Sequence, residues 1–385
     1  MGIVERNGLG HPDTICDAVM EPISQALCKA YLARFGVILH HNCDNGLLVA
    51  GQAERRLGGG RVLEPVRLII GDRATTAVGG KQLDVAAIAV EAAMAWFRER
   101  LRHVDADRHL FYQAELRPGT EELAGLFLAG KSVLGANDTS AAVGYAPLSK
   151  TERQVLETEY FLNSPMFKDR FPESGEDVKV MGVRAGRSLA LTVAMPLLDR
   201  YVVSEADYFQ RTEAIQQALV SHLHNHLKSP EAVTLSLNTL DRQGSGMAGM
   251  YPSVPGTSAE DADSDEVGRG NRVNGLIALN RPWGSEAAAS NNPISHVGKI
   301  YNVLTHLLAN RLLTQITGLR DVTVWLCSRI GTPIDQPQMV SVQTYSQPGV
   351  ILADVTAPIR QIVQQELAYM PVFYQELAQG RYPIC

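Results

Sequence analysis

Apolar residues return at Ile15, Val19, Ile23, Ala26, Leu27, Ala30 and Tyr31, a helical period that predicts one long helix from Thr14 to about Phe35, interrupted only by Pro22. Beyond it, Val37-Ile38-Leu39-His40 and Leu47-Leu48-Val49-Ala50 flank Asp44-Asn45-Gly46, whose Asn-Gly pair predicts a β-hairpin. Gly58-Gly59-Gly60 breaks the chain, Val66 to Ile70 reads as a strand, and Leu83 to Leu101 reads as a helix. The alternation goes on with a strand near Leu110 to Leu116, a helix near Thr151 to Leu162, and a hairpin of Val178 to Val183 with Ser188 to Ala194. A helix near Glu205 to His226, a strand near Val233 to Leu237, a periodic helix from Ile294 to about Leu313, strands near Val322 to Leu326 and Met339 to Val342, and a helix near Ile359 to Met370 complete the pattern. Long helices alternating with strand pairs predict a layered α+β or α/β fold.

Between Asn238 and Asn292 the periodicity lapses into a stretch dense in Gly, Ser, Asp and Pro. Loops this long inside compact chains are functional or disordered. This one carries Glu260, Asp261, Asp263, Asp265 and Glu266 just ahead of Arg269 and Arg272, which sets metal-type carboxylates beside phosphate-type guanidiniums. A solvated acidic loop is the competing reading.

The second chemistry-bearing stretch is Gly8-Leu9-Gly10-His11-Pro12-Asp13-Thr14-Ile15-Cys16-Asp17, at the start of the first helix. Gly8 and Gly10 allow close backbone approach, Pro12 suits a first helical turn, and the free amides there favour anions such as phosphate. Asp13 and Asp17, four residues apart, share a helix face and are candidates to hold a divalent cation, while His11 is placed to donate a proton or hydrogen bond to a developing oxyanion. The same residues also suit an ordinary capped helix with acidic groups in its first turn.

With 385 residues, of which 45% are hydrophobic, the chain is long enough for two or three domains with a large core. A formal charge of −6 and scattered basic residues argue against a nucleic-acid partner. Five cysteines without a CxxC pair indicate neither a disulfide framework nor a zinc site. The absence of a transmembrane-length apolar run or a signal-type N-terminus leads us to expect a cytoplasmic protein with no membrane partner.

Glu5-Arg6-Asn7-Gly8-Leu9-Gly10-His11-Pro12-Asp13-Thr14-Ile15-Cys16-Asp17 resembles the opening signature of the archaeal-type S-adenosylmethionine synthetases, or methionine adenosyltransferases. Further similar blocks follow in family order: Leu39-His40-His41-Asn42, Ala136-Asn137-Asp138-Thr139-Ser140, Gly144 to Ser149, Gly175-Glu176-Asp177-Val178-Lys179-Val180-Met181-Gly182, Gly256 to Glu260, Val267 to Gly275, and His296 to Asn302. The resemblance implies three similar α+β domains around a pseudo-threefold axis, with interleaved approximate bounds of 1–115 plus parts of the C-terminal region, 116–240 and 241–385. It also implies a homodimer with active sites at the interface. The implied reaction joins ATP and L-methionine, with attack of the methionine sulfur on the ribose C5′, followed by hydrolysis of the released triphosphate to phosphate and diphosphate. By position in the motifs, His11, Lys179 and Arg269 are the implied catalytic residues, Glu5, Asp138, Asp177, Arg272 and Lys299 the substrate- or ATP-binding ones, and Asp13 and Asp263 the ligands of Mg2+, with two ions per site and K+ as a further cation. Asp265 competes with Asp263 for its assignment.

Several positions depart from the family pattern. Asn291 stands where relatives carry a phosphate-binding lysine, Gln52 where they carry histidine, and Arg117-Pro118-Gly119-Thr120 replaces a Gly-Gln-Gly-Ser-like segment. Prolines enter an expected strand at Tyr251 to Pro255, and the chain begins ten residues before His11, where relatives carry a further strand-forming segment. These departures leave two alternatives open: adenosyl transfer from ATP to a different nucleophile, and a catalytically weak nucleotide-binding subunit.

Overall fold

The computed structural model describes residues 1–119, 127, 133–226 and 232–385. Thr120 of the substituted segment lies outside the described residues. The first helix spans Pro12–Phe35, through Pro22, and ends at Gly36 in the left-handed conformation (φ 77°) that glycine adopts without a Cβ penalty. Its apolar stripe of Ile15, Val19, Ile23, Leu27 and Tyr31 is fully buried against the first sheet and the helix Val85–Arg100. Each such side chain contributes about 1.5–3 kcal/mol through removal from water.

Three main sheets, each backed by helices, carry three separate apolar clusters. The first orders Asp265–Glu266, His41–Val49, Val66–Ala74 and Leu110–Arg117. The second orders Ala232–Leu237, Ser188–Ala194, Lys179–Ala185, Gly2–Asn7 and Ile277–Ala278, and is covered by helices Lys150–Leu162 and Glu205–His226. The third orders Met339–Ser346, Leu319–Cys327 and Ala141–Ala146 under helices Val297–Gln315, Leu352–Ala368 and Met370–Ala378. The α+β class follows directly. Strands cross between units: the N-terminal strand Gly2–Asn7 lies in the second sheet, and Asp265–Glu266 of the long polar stretch lies at the edge of the first.

The hairpin expected at Asn45-Gly46 does not form. His41–Val49 runs through as one strand, and both of its halves pair antiparallel with Val66–Ala74 across an irregularity between Asn42 and Asn45. Gly46 is held close to Met20, where an added Cβ would lie 2.9 Å from its side chain, so tertiary packing overrides the local turn preference. The helix expected from Ile359 begins at Leu352, because Pro358 is accommodated inside it. The stretch from Asn238 to Asn292 is ordered by the short strands Pro252–Ser253, Asp265–Glu266 and Ile277–Ala278, and it buries Thr257, Glu260, Asp265 and Asn271.

Candidate active site

The site begins with a strand pair. Gly2–Asn7 runs antiparallel to Lys179–Ala185 with Asn7 opposite Lys179, and the Lys179 ammonium reaches the Glu5 carboxylate at 2.8 Å. The chain then turns sharply at Gly8-Leu9-Gly10, which is laid on the segment Glu176 to Val178 by two backbone bonds, Gly8 N–H to Val178 O (2.6 Å) and Gly10 N–H to Glu176 O (3.1 Å). A Cβ at Gly10 would lie 2.6 Å from the Asp177 nitrogen, so only glycine fits. This contact brings the buried Asp177 toward His11, the residue that caps the first helix.

His11 is buried, and its Nδ1 lies 3.3 Å from both the Asp13 amide nitrogen and the Asp13 Oδ1. Neutral, that nitrogen accepts from the amide; protonated, it donates to the carboxylate. Burial alone would lower the pKa of His11, but Asp13 and Asp177 outweigh it and the pKa is raised above its usual value. Asp13 in turn accepts from Asn7 Nδ2 at 2.9 Å. Despite burial, His11, Asp265 and Lys179 hold the Asp13 carboxyl well below the usual carboxylate range. Burial, and next its contact with Asp13, push Asp265 up to about 7. Two carboxyl groups this close repel when both are ionised, and a proton or a cation relieves that repulsion.

The polar stretch closes over this group. The Ser258 amide and hydroxyl donate to Asp177 Oδ2 at 2.7 and 2.5 Å, and burial raises the Asp177 pKa even though His11 and Ser258 oppose it. Arg269 is exposed, with Nε 3.6 Å from Asp265 Oδ1. Asn271 ties the loop to the strand through Asn7: its Oδ1 accepts from Asn7 N–H at 3.0 Å and its Nδ2 donates to Asn7 O at 2.7 Å. One potential ligand atom each from His11, Asp13 and Asp263 falls within 4.8 Å of the others. Carboxylate oxygens of Asp13, Asp263 and Asp265 are hard donors of the kind magnesium takes, and the closeness of the Asp13 and Asp265 carboxyls marks a place where a cation fits.

Glu5, His11, Asp13, Asp177, Lys179, Asp263 and Arg269 are therefore brought to one region. Asp17 does not join Asp13 on a shared cation. Its Oδ1 accepts from Gly268 N–H at 2.8 Å, and burial pushes its pKa up to about 7. Arg272 sits over the Trp283 ring at 4.5 Å and donates to Gly268 O, lining an adjoining narrow crevice with Asp17, Tyr145 and Asn302. Lys299 is fully buried in an ion pair with Glu21 at 2.7 Å. Asp138 is exposed, accepting from the Thr139 amide at 2.6 Å in a turn that Ser328 braces. No described contact joins Lys299 or Asp138 to His11. Asn291 is completely buried, donates to Ala287 O at 2.8 Å, and its carbonyl accepts from Ser24 Oγ. No described contact joins it to His11, and its side-chain Oδ1 is buried without a hydrogen-bond partner.

Sequence reasoning passed over Asn7, Asn271 and Ser258, whose roles are bonds to backbone or to one carboxylate. It also passed over Glu176, whose carbonyl holds Gly10. Their residue types carry no spacing signal.

A family model described as S-adenosylmethionine synthetase (AdoMet synthetase) matches residues 1–381. The chain is 44% identical over 383 residues to the S-adenosylmethionine synthase of Aeropyrum pernix, covering 98% of this chain and 94% of that one. It is 40% identical over 385 residues to the probable S-adenosylmethionine synthase of Aquifex aeolicus, covering 99% and 95%. Its fold is similar to that of an unusual S-adenosylmethionine synthetase from Campylobacter jejuni, with a TM-score of 0.60 at 15% identity, covering 98% of this chain and 92% of that one.

Proposed function

The chain belongs to the S-adenosylmethionine synthetase family, and from that premise we propose how its own residues carry out the reaction. It is a methionine adenosyltransferase that forms S-adenosylmethionine from ATP and L-methionine and releases phosphate and diphosphate. In the transfer step a sulfur lone pair attacks C5′, the C5′–O bond breaks, and its electron pair leaves on triphosphate while the sulfur becomes a sulfonium. The difficulty is a highly anionic leaving group.

The observation that carries the assignment of roles is the convergence of His11, Asp13 and Asp263 within 4.8 Å at a helix N-terminus. His11, with its raised pKa, donates to the oxygen bridging ribose and triphosphate. Lys179 and Arg269 hold phosphate oxygens, with Lys179 exchanging its bond to Glu5 for one to the ligand. Asp177 is fixed by Ser258 to orient His11 and a substrate hydroxyl or ammonium. Arg272 serves the adjoining crevice with its guanidinium stacked on Trp283. Lys299 acts through Glu21, fixing the first helix that carries His11.

The family is metal-dependent, and we assign Asp13 and Asp263 as ligands of Mg2+, two ions per site, with K+ as an accessory ion. Magnesium, when bound, neutralises charge on the phosphate chain. The exposure of Asp138, away from His11 within one chain, supports a homodimer in which a second copy supplies Asp138 to the substrates. The bounds 1–115 with parts of the C-terminal region, 116–240 and 241–385 serve as our working division into domains. No helix among the described residues is long and apolar enough to cross a membrane, and we place the enzyme in the cytoplasm.

Mass spectrometry of products from ATP, methionine and magnesium tests this reading. S-adenosylmethionine, phosphate and diphosphate should appear in equal amounts, and excess chelator should abolish all three. Full activity in chelator, or ADP as the nucleotide product, would contradict it.

A further inference from the structure

On this acidic chain, positive charge gathers in one cleft that the mechanism above does not use. It is lined by Arg61, Arg102, His103, Arg108, His109 and Arg200 and is open to solvent. Asp105 is its only carboxylate among the described lining residues, against four guanidiniums. Arg61 is partly neutralised by Glu54 at 3.1 Å. Arg108 has no ion pair among the described residues, and the only described partner of the Arg200 guanidinium is the Val254 carbonyl at 3.1 Å. His103 Nε2 is buried without a hydrogen-bond partner. Burial, and next its cationic neighbours Arg102 and Arg200 against the pull of Glu176, push its pKa down to about 4, so it offers a neutral ring N–H or lone pair rather than another charge. Glu54 offsets Arg61 and Glu176 offsets Arg102, but the unpaired guanidiniums of Arg108 and Arg200 leave the cleft positive, and a multiply charged oxyanion relieves that charge while matching their fork of donors.

We propose that this cleft binds a phosphate chain, free or carried by a nucleotide, at a site separate from the one around His11. Arg102 links the two sites. It bonds the Glu176 carboxylate and donates to Ser174 O at 2.7 Å, and the Glu176 carbonyl receives Gly10 N–H beside Asp177. The second oxygen of Glu176 is buried and has no partner. An anion in the cleft therefore competes with Glu176 for Arg102 and acts on the turn that positions His11. The site itself stands on its own geometry; only this coupling rests on the proposed role of His11.

Equilibrium titration of the full-length enzyme with inorganic tripolyphosphate tests the site, with ATP in a second arm and sodium sulfate at matched ionic strength as control. Two classes of tripolyphosphate site per chain are expected. Arg108→Ala with Arg200→Ala should remove one class, leaving the other class and adenosyl transfer without added tripolyphosphate intact. Arg108→Ala alone, at a side chain with no described bond to lose, should weaken that class by about tenfold, the loss of one charge-assisted contact. If ATP fills the second class as well, the ligand is nucleotide-borne; if only tripolyphosphate does, the ligand is the free chain. A single class in the unaltered enzyme, two unchanged classes in the variants, or equal competition by sulfate would overturn the proposal. Two classes in an unaltered enzyme that performs no adenosyl transfer would instead count against the reading of the His11 site.

Discussion

Asn291 shows how far one residue's meaning depends on where its side chain points. By motif it replaces a phosphate-binding lysine, yet it is wholly buried, with its side-chain amide donating to Ala287 O and its backbone carbonyl accepting from Ser24 Oγ. Its neighbour Ser290 donates N–H to Glu21, the same carboxylate that neutralises the buried Lys299. A lysine here would have the Asp44 carboxyl beside it, but its longer stem must displace packing that leaves Asn291 no exposed surface. Asn291→Lys should therefore lower stability by about 1–3 kcal/mol and leave triphosphate hydrolysis no faster. Denaturant melts and phosphate release compare the two proteins, and faster hydrolysis would show that position 291 reaches the phosphates after all.

At the scale of elements, the site depends on a glycine turn pressed against a strand entry. Gly10→Ala would set a methyl group 2.6 Å from the Asp177 nitrogen and the Glu176 carbonyl carbon. That is a backbone clash, so the turn or the Glu176 segment must move. A destabilisation of about 1–3 kcal/mol is expected, together with a fall in kcat larger than the change in KM, because His11 and Asp177 lose their relative placement. Thermal melts and steady-state kinetics check this, and an unaltered kcat would mean that the turn does not set the catalytic geometry. The first helix and the Lys179–Ala185 hairpin were legible because their apolar periods agree with their caps and turns. The Asn45-Gly46 turn was misread because both flanking segments find the same long partner strand, a relation that local sequence does not contain. The gathering of Glu5, His11, Asp13, Asp177, Lys179 and Asp263 was legible only as separate motifs. The strand pairing and the closure of the loop through Asn271 and Ser258 bring them together.

The molecule as a whole is three helix-backed sheets whose strands are exchanged between distant parts of the chain, so the site lies where the long polar stretch crosses the start of the first helix. A single chain leaves Asp138 exposed and away from His11, which is the reason to expect a second copy. Sedimentation at working concentration should show a dimer, and an active monomer would refute shared sites. Adenosyl transfer in this reading belongs to the group around His11. Single-turnover formation of S-adenosylmethionine at saturating ATP, methionine and magnesium tests it most directly, with native and His11→Ala enzymes matched for fold by melting temperature. A rate lowered by about a hundredfold or more is expected in the variant, the usual size for a lost donor at a developing oxyanion. Equal rates in the two proteins would contradict it and leave His11 as nothing more than a helix cap.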